Sequence, residues 1–226
     1  TSTQLKLSYD ATNYATFAIA ADGLLTITTV DPDGAEADIV FVPDGNIGIG
    51  NAVPGSDLEI SKVSGAATLE LSSWSATATA AHAGKLKFQK SGTATVNTFT
   101  GGDHTTAGEV LGRIEAWGVD DADGETLSSY IEFANDAVSD ADSSPGKITF
   151  ATSDADDAGT PTPRMTIDDG GNVGIGVAAP LGKLHIESAS AGDIAPEAVA
   201  DEIVLESSGD TGMTIFSAGS GNGSIC

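Results

Sequence analysis

Apolar residues along this chain come in short alternating runs, each closed by Asp, Gly, Asn or Pro. The runs include Phe17-Ala18-Ile19, residues 24–28, residues 39–42, Leu58-Glu59-Ile60 and residues 85–88. Further along come residues 111–117, 130–133, Ile148-Thr149-Phe150 and Ile203-Val204-Leu205. Period-two alternation rich in β-branched residues, punctuated by turn formers, predicts β-strands. Helical periodicity is almost absent. One short helix is predicted at residues 196–200. The chain therefore reads as all-β.

The pattern also repeats. Ile39 through Ile60 reads I-V-F-V-P-D-G-N-I-G-I-G-N-A-V-P-G-S-D-L-E-I, and Met165 through Ile186 reads M-T-I-D-D-G-G-N-V-G-I-G-V-A-A-P-L-G-K-L-H-I. The two align without a gap, and each residue of the second copy stands 126 positions after its counterpart (165 against 39). Such self-similarity is the mark of modular architecture. Asp-Gly-Asn in one copy, and Asp-Gly-Gly-Asn in the other, is the chemistry of a tight hairpin, because Gly and Asn tolerate positive φ. In each copy the following strand puts apolar residues on one face and glycines on the other: Gly48 and Gly50 first, Gly174 and Gly176 second. A bare glycine face weakens a strand, so it is expected where another backbone comes close. Pro54 and Pro180 then break the strand, and the next one starts at Leu58 or Leu184. A unit this thin must stack on neighbours or pair with other chains. Acidic loops at residues 120–125, 139–145 and 153–163 separate the copies. Three segments follow: 1–62 with the first G-N-I-G-I-G unit, 63–190 ending in the second unit, and 191–226 as the start of another.

Composition narrows the function. The 226 residues hold 9 Lys+Arg against 33 Asp+Glu, a net charge of −24, with 40% apolar but 5% aromatic residues. That supports thin local cores better than one large core. The charge disfavours binding to nucleic acid, which needs clustered cations, and disfavours anionic membrane surfaces. No apolar run is long enough to span a bilayer as a helix, so no membrane insertion is expected. The single cysteine, Cys226, excludes an internal disulfide, and the opening residues carry no export signal of their own.

Arg164-Met-Thr-Ile-Asp-Asp-Gly-Gly-Asn-Val-Gly-Ile-Gly, followed by Pro180 and Lys183-Leu-His-Ile186, resembles a recurrent unit of tailed-phage tail fibre proteins. That unit reads R-M-x-I-x-x-x-G-N-V-G-I-G-x-x-x-P-x-x-K-L-x-V. Lys85-Leu-Lys-Phe, Leu111-Gly-Arg-Ile-Glu-Ala-Trp-Gly, Ser129-Tyr-Ile-Glu and Pro145-Gly-Lys-Ile-Thr-Phe-Ala-Thr fall in the order that such fibres show. The stretch from Leu7 to Phe17 is similar to a further fibre segment. The resemblance covers most of the chain. It implies an elongated, β-rich homotrimer on a virion, of the kind often followed by an endosialidase-type intramolecular chaperone. Gly223-Ser-Ile-Cys226 looks like the opening of another fibre strand, so the parent chain is expected to continue. The first copy lacks the Arg-Met lead and carries Val42-Pro43, so the two copies are not expected to dock alike.

Several motifs invite sharper readings. Gly174-Ile-Gly176-Val-Ala-Ala179 satisfies a G-x-G-x-x-A dinucleotide fingerprint, but Pro180 and Gly182 forbid the helix that the fingerprint needs, and the first copy has Val53 at the last position. Asp121, Asp123 and Glu125 are calcium candidates from a fragment of an oxygen-rich loop, with Val119 at the first ligand position. Asp31-Pro-Asp33-Gly34 is a similar fragment. The simpler reading is that these aspartates make turns. His82, His104 and His185 are scattered, and His185 alternates with Leu184 and Ile186, so it is expected to face outward; no transition-metal site is expected. No G-x-S-x-G elbow or paired nucleophile and base is visible, so neither catalysis nor a cofactor is expected. Trp74 and Trp117 read as anchors of small cores, with sugar stacking as the alternative. Arg113 and Arg164, the only arginines, read as braces for acidic neighbours at a chain–chain contact.

Together these point to a non-enzymatic, trimeric shaft segment of a tail fibre, linking the virion and its other tail proteins to a host-receptor-binding end. The alternatives are a receptor- or glycan-binding module using Trp117 and the acidic loops, and a cellular surface filament or adhesin that shares the repeat.

Overall fold

Turn carboxylates decide where this chain folds back. Asp10 accepts the amides of Thr12 and Asn13 at 2.8 and 2.7 Å, Asp120 those of Ala122 and Gly124 at 2.9 Å, and Asp168 that of Asn172 at 2.8 Å. Each side chain substitutes for a backbone carbonyl and locks a tight reversal. The computed structural model describes residues 3–32, 38–41, 43–74, 76, 83–91, 105–122, 124–140, 142–155, 157–189 and 203–211. Among these every regular element is a β-strand, and no helix is long and apolar enough to cross a membrane.

The chain divides into two compact units, Thr1–Gly84 and Lys85–Cys226. In the first, β1 (Thr3–Ser8), β2 (Tyr14–Ile19) and β3 (Leu25–Val30) form an antiparallel meander, while β4 (Ile47–Ile49) and β5 (Leu58–Ile60) form a separate parallel pair. The second unit is built on one seven-stranded sheet in sequential order. Its strands are β6 (Val110–Val119), β7 (Glu125–Asn135), β8 (Gly146–Thr152), β9 (Thr162–Ile167), β10 (Val173–Ile175), β11 (Leu184–Glu187) and β12 (Ile203–Glu206). β6 to β10 run antiparallel; β10, β11 and β12 are parallel.

Three sequence expectations need correction or placement. Residues 38–41 are not a strand, although Ile39, Val40 and Phe41 have strand character; Val42 lies outside the described residues. Residues 85–88 are also irregular: Phe88 packs against Gly112 and stacks on Phe133 with ring centroids 5.9 Å apart instead of pairing in a ladder. The helix expected at residues 196–200 lies outside the described residues.

Among the described residues the buried apolar side chains are Ala18, Ala134 and Ala151, and nothing larger. Buried polar residues are Thr105, Asn135, Thr149, Thr166 and His185. Asn135 is fully buried and fully used. Its Nδ2 donates to Thr105 Oγ1 (2.6 Å) and Ser139 Oγ (2.8 Å), and its Oδ1 accepts from Ser144 Oγ (3.2 Å). This knot ties the β7–β8 connection to the segment before β6, and its satisfied partners remove the usual cost of burying an amide. Lys147 Nζ joins it with an ion pair to Asp136 (2.9 Å).

Candidate functional site: the glycine crossovers and the apolar sheet face

The two glycine units share one backbone arrangement. In the first copy Ile47, Gly48 and Ile49 stand beside Leu58, Glu59 and Ile60. In the second, Val173, Gly174 and Ile175 stand beside Leu184, His185 and Ile186. Each parallel pair is joined by residues 50–57 or 176–183, a connection of eight residues. Parallel neighbours ordinarily need a crossover of about a dozen residues or more. A connection this short has to curl back over its own strand, and the glycines make that geometry available. A Cβ on Gly174 would collide with the Val177 carbonyl, and one on Gly48 with the Asn51 carbonyl. A Cβ on Gly176 would collide with the Glu187 carbonyl, and one on Gly50 with that of Ser61; φ at these two glycines is 78° and 80°. Every one of these contacts is displaced by the same 126 positions (177 against 51, 187 against 61). The close approach that the bare glycine face implied therefore lies within one chain.

A backbone hydrogen bond at the crossover matches as well. Ile47 donates its amide to the Asp57 carbonyl (2.8 Å), and Val173 to that of Lys183 (2.9 Å). Asn46 Nδ2 reaches the Pro54 carbonyl at 3.0 Å. Pro54 and Pro180 sit in the crossovers, each partly buried. Glu59 accepts the Gly55 amide on Oε2 and Asn51 Nδ2 on Oε1, both at 2.8 Å. The Gly55 amide first, then Asn51, hold the Glu59 carboxyl below its ordinary range. In the second copy His185 takes this place, with Nδ1 accepting the Leu181 amide at 3.3 Å. No helix follows Gly176, so the dinucleotide fingerprint has no anion-binding terminus here.

His185 corrects an expectation. Alternation does put it on the opposite face from Leu184 and Ile186, but it is 1% exposed, because the crossover lies over that face. Its Nε2 is 3.1 Å from Glu206 Oε2, and Glu187 stands directly opposite Glu206. Ligand atoms of His185, Glu187 and Glu206 all lie within 4.8 Å of one another. Because Nδ1 accepts the Leu181 amide, the ring proton sits on Nε2 and is donated to Glu206. A cation at Nε2 would have to displace that proton and break the contact with Glu206. The sequence did not reveal Glu187 and Glu206 as partners, since the β11–β12 register is a tertiary fact.

The remaining candidates are dispersed. Asp121 and Glu125 are exposed, Asp123 lies outside the described residues, and the carboxylate that organises this turn is Asp120, which also accepts Thr126 Oγ1 at 2.9 Å. Asp31 is described; Asp33, Gly34, His82 and His104 lie outside the described residues. Neither tryptophan anchors a core: Trp74 is 96% exposed and Trp117 57%, with its Nε1 donating to Glu115 at 3.0 Å. Arg113 pairs with Glu132 and lies over the Tyr130 ring (4.5 Å), and Arg164 pairs with Asp154 (3.2 Å). Both arginines thus brace acidic neighbours within their own chain.

Cross-strand register lines up two apolar rows on one face of the seven-stranded sheet. One row contains Ile114, Ile131, Phe150, Met165, Ile175, Ile186 and Leu205, an apolar residue from each of the seven strands. A second row on the same face holds Gly112, Phe133, Ile148, Ile167, Val173, Leu184 and Ile203. Between them, on the other face, run Arg113, Glu132, Thr149, Thr166, Gly174, His185 and Val204. The polar row is the better buried one at its centre. The apolar rows stay partly or largely open, and Ile114, Ile131 and Phe150 line a depression of about 320 Å³.

No protein-family model matches the chain, and no curated protein does. Solved structures that align with it include two of one fibre. One is the carboxy-terminal domain of the bacteriophage T5 L-shaped tail fibre with its intra-molecular chaperone domain, at 16% identity and a TM-score of 0.43, covering 96% of this chain. The other is the carboxy-terminal domain of the same fibre, at 15% identity and a TM-score of 0.31, covering 74% of this chain and 72% of that one. The chain spans 59% of the length of the first.

Proposed function

We propose that this chain is a structural segment of a bacteriophage tail fibre, a homotrimeric shaft connecting other virion tail proteins to a receptor-binding end. The order of fibre-like motifs supports the viral assignment. The observation that carries the assembly is the two-row apolar face across seven strands, in a chain whose described residues bury no apolar side chain larger than alanine. Contiguous apolar surface on this scale marks an interaction face. Fully burying one large aliphatic side chain is worth about 1.5–3 kcal/mol, so completing the burial of a half-covered row of seven yields on the order of 5–10 kcal/mol per chain. Three copies facing their apolar rows inward leave the opposite, polar row outward. The face serves contact between copies, and the role is mechanical, not catalytic.

Exposed Trp117 beside Glu115 is the specific observation behind the second reading, a glycan- or receptor-binding module. Native mass spectrometry of the parent and of Ile186→Asp separates the two. A trimer that Ile186→Asp dissociates supports the shaft; a parent that is a well-folded monomer at micromolar concentration overturns it and leaves the module.

A further inference from the structure

The two glycine units differ in what flanks them. In the second copy, β9 runs antiparallel beside β10, with Ile167 opposite Val173 and Met165 opposite Ile175, and the Gly176 amide donates to the Arg164 carbonyl at 3.0 Å. Counterparts of Met165, Thr166 and Ile167 in the first copy are Ile39, Val40 and Phe41, a triplet of residues that favour strands. Residues 38–41 nevertheless form no strand, and the three side chains are 48%, 76% and 69% exposed. Among the described residues β4 pairs with β5 alone, and Ile49 and Leu58 remain more than half exposed. Two strands of three residues each are too short to be stable without further partners. Among the described residues the first copy thus presents an unpaired strand-forming triplet and an unfilled edge of matching register.

Turn chemistry explains why the strand does not fold back onto its own edge. In the second copy the Asp168 carboxylate accepts the Asn172 amide (2.8 Å) and Asn172 Nδ2 (2.9 Å), while the Gly171 amide donates to the Asp168 carbonyl (3.1 Å). Val42 and Pro43 occupy the positions of Asp168 and Asp169 in the first copy. Val42 has no carboxylate to hold the reversal, and a residue before proline is steered toward extended backbone. The hinge sequence therefore disfavours the hairpin, while among the described residues the edge lacks a partner. Exchange of an identical element between protomers resolves both at low cost.

We propose that residues 39–41 of one copy add antiparallel to β4 of a second copy of this chain, with Phe41 opposite Ile47 and Ile39 opposite Ile49. The arrangement is the one that β9 and β10 make within a chain. In a ring of three, each copy gives one strand and receives one. This inference rests on the homotrimeric reading above.

Site-directed disulfides test it, in a background with Cys226→Ser. Opposed residues of an antiparallel pair have Cα atoms about 4.5–5.5 Å apart, inside the range a disulfide spans. Chains carrying Phe41→Cys are assembled with chains carrying Ile47→Cys, and Ile39→Cys with Ile49→Cys as an independent pair. Oxidation is expected to link the two different chains covalently, and a chain carrying both Phe41→Cys and Ile47→Cys is expected to give linked species up to a trimer. Adding Val42→Asp and Pro43→Asp restores the capped turn and is expected to convert those links into intramolecular ones. Native mass is measured on the same samples. A trimer that forms intramolecular links alone, or none with either pair, overturns the exchange and leaves the trimer standing. A parent chain that is monomeric overturns both.

Discussion

Substituting alanine at four glycines of the second unit separates two costs that coincide at the crossover. Gly146 has open space around it and no positive φ. Gly171 has the same open space but φ of 72°; Gly174 has no positive φ but would place its Cβ against the Val177 carbonyl, with Val177 Cγ1 at 3.1 Å. Gly176 has both problems, with φ of 78° and the Glu187 carbonyl in the way. Gly146→Ala should stabilise by about 0.4–1 kcal/mol, since it restricts the unfolded chain without native strain. Left-handed backbone costs a residue with a Cβ about 1–2 kcal/mol, which sets Gly171→Ala. Overpacking against a fixed backbone costs about 1–3 kcal/mol, which sets Gly174→Ala. Gly176→Ala adds the two, roughly 2–5 kcal/mol per chain. At about 2–4 °C per kcal/mol, its melting temperature falls on the order of 10 °C below the parent. The assay is thermal unfolding by circular dichroism at one fixed protomer concentration, because assembly makes Tm depend on concentration. The colliding carbonyls belong to the same chain, so the material that stays folded should keep the parent's native mass. Gly174→Ala melting together with Gly146→Ala would refute the crossover argument. Loss of assembly by folded chains would instead return the close approach to a chain–chain contact.

Acid should unfold the protein by releasing its turns. The Asn13 amide holds the Asp10 carboxyl down to about 2, and the Gly124 amide, the Ser143 hydroxyl and the Ser153 hydroxyl lower Asp120, Asp140 and Asp157 respectively. Depressed folded values mean the contribution is complete above the ordinary aspartate pKa of about 4 and is lost as pH falls through the folded values. Melting temperature should therefore be flat from neutral pH to about 5 and drop between about 4 and 2; an unchanged Tm at pH 2 counts against the turn assignment. In the proposed trimer three chains at −24 each would carry −72, so raising NaCl from low millimolar to seawater levels should raise Tm by screening self-repulsion. No change, or a fall, would mean that bound cations already neutralise the acidic surface, and would favour calcium at the acidic loops.

Alternation and turn chemistry are local, and they were legible. The runs at residues 111–117, 130–133 and 148–150 lie within β6, β7 and β8, and Asp168 to Asn172 closes the β9–β10 hairpin. The repeat at 126 positions was visible because each copy carries its own punctuation, and the same crossover geometry stands in both. What sequence could not reveal was which backbone approaches the glycines. That depended on β10 and β11 pairing in parallel across an eight-residue connection, a register that alternation does not encode. His185 shows the same limit: period two assigns a face, while solvent or a covering loop on that face is a tertiary matter. Residues 39–41 mark the converse case. Their side chains favour a strand, but residues 38–41 form none, because a strand exists only where an edge is offered in reach. Local sequence determined the elements and their turns; long-range pairing decided which of them meet, because a strand's hydrogen bonds are made by its neighbours and not by itself.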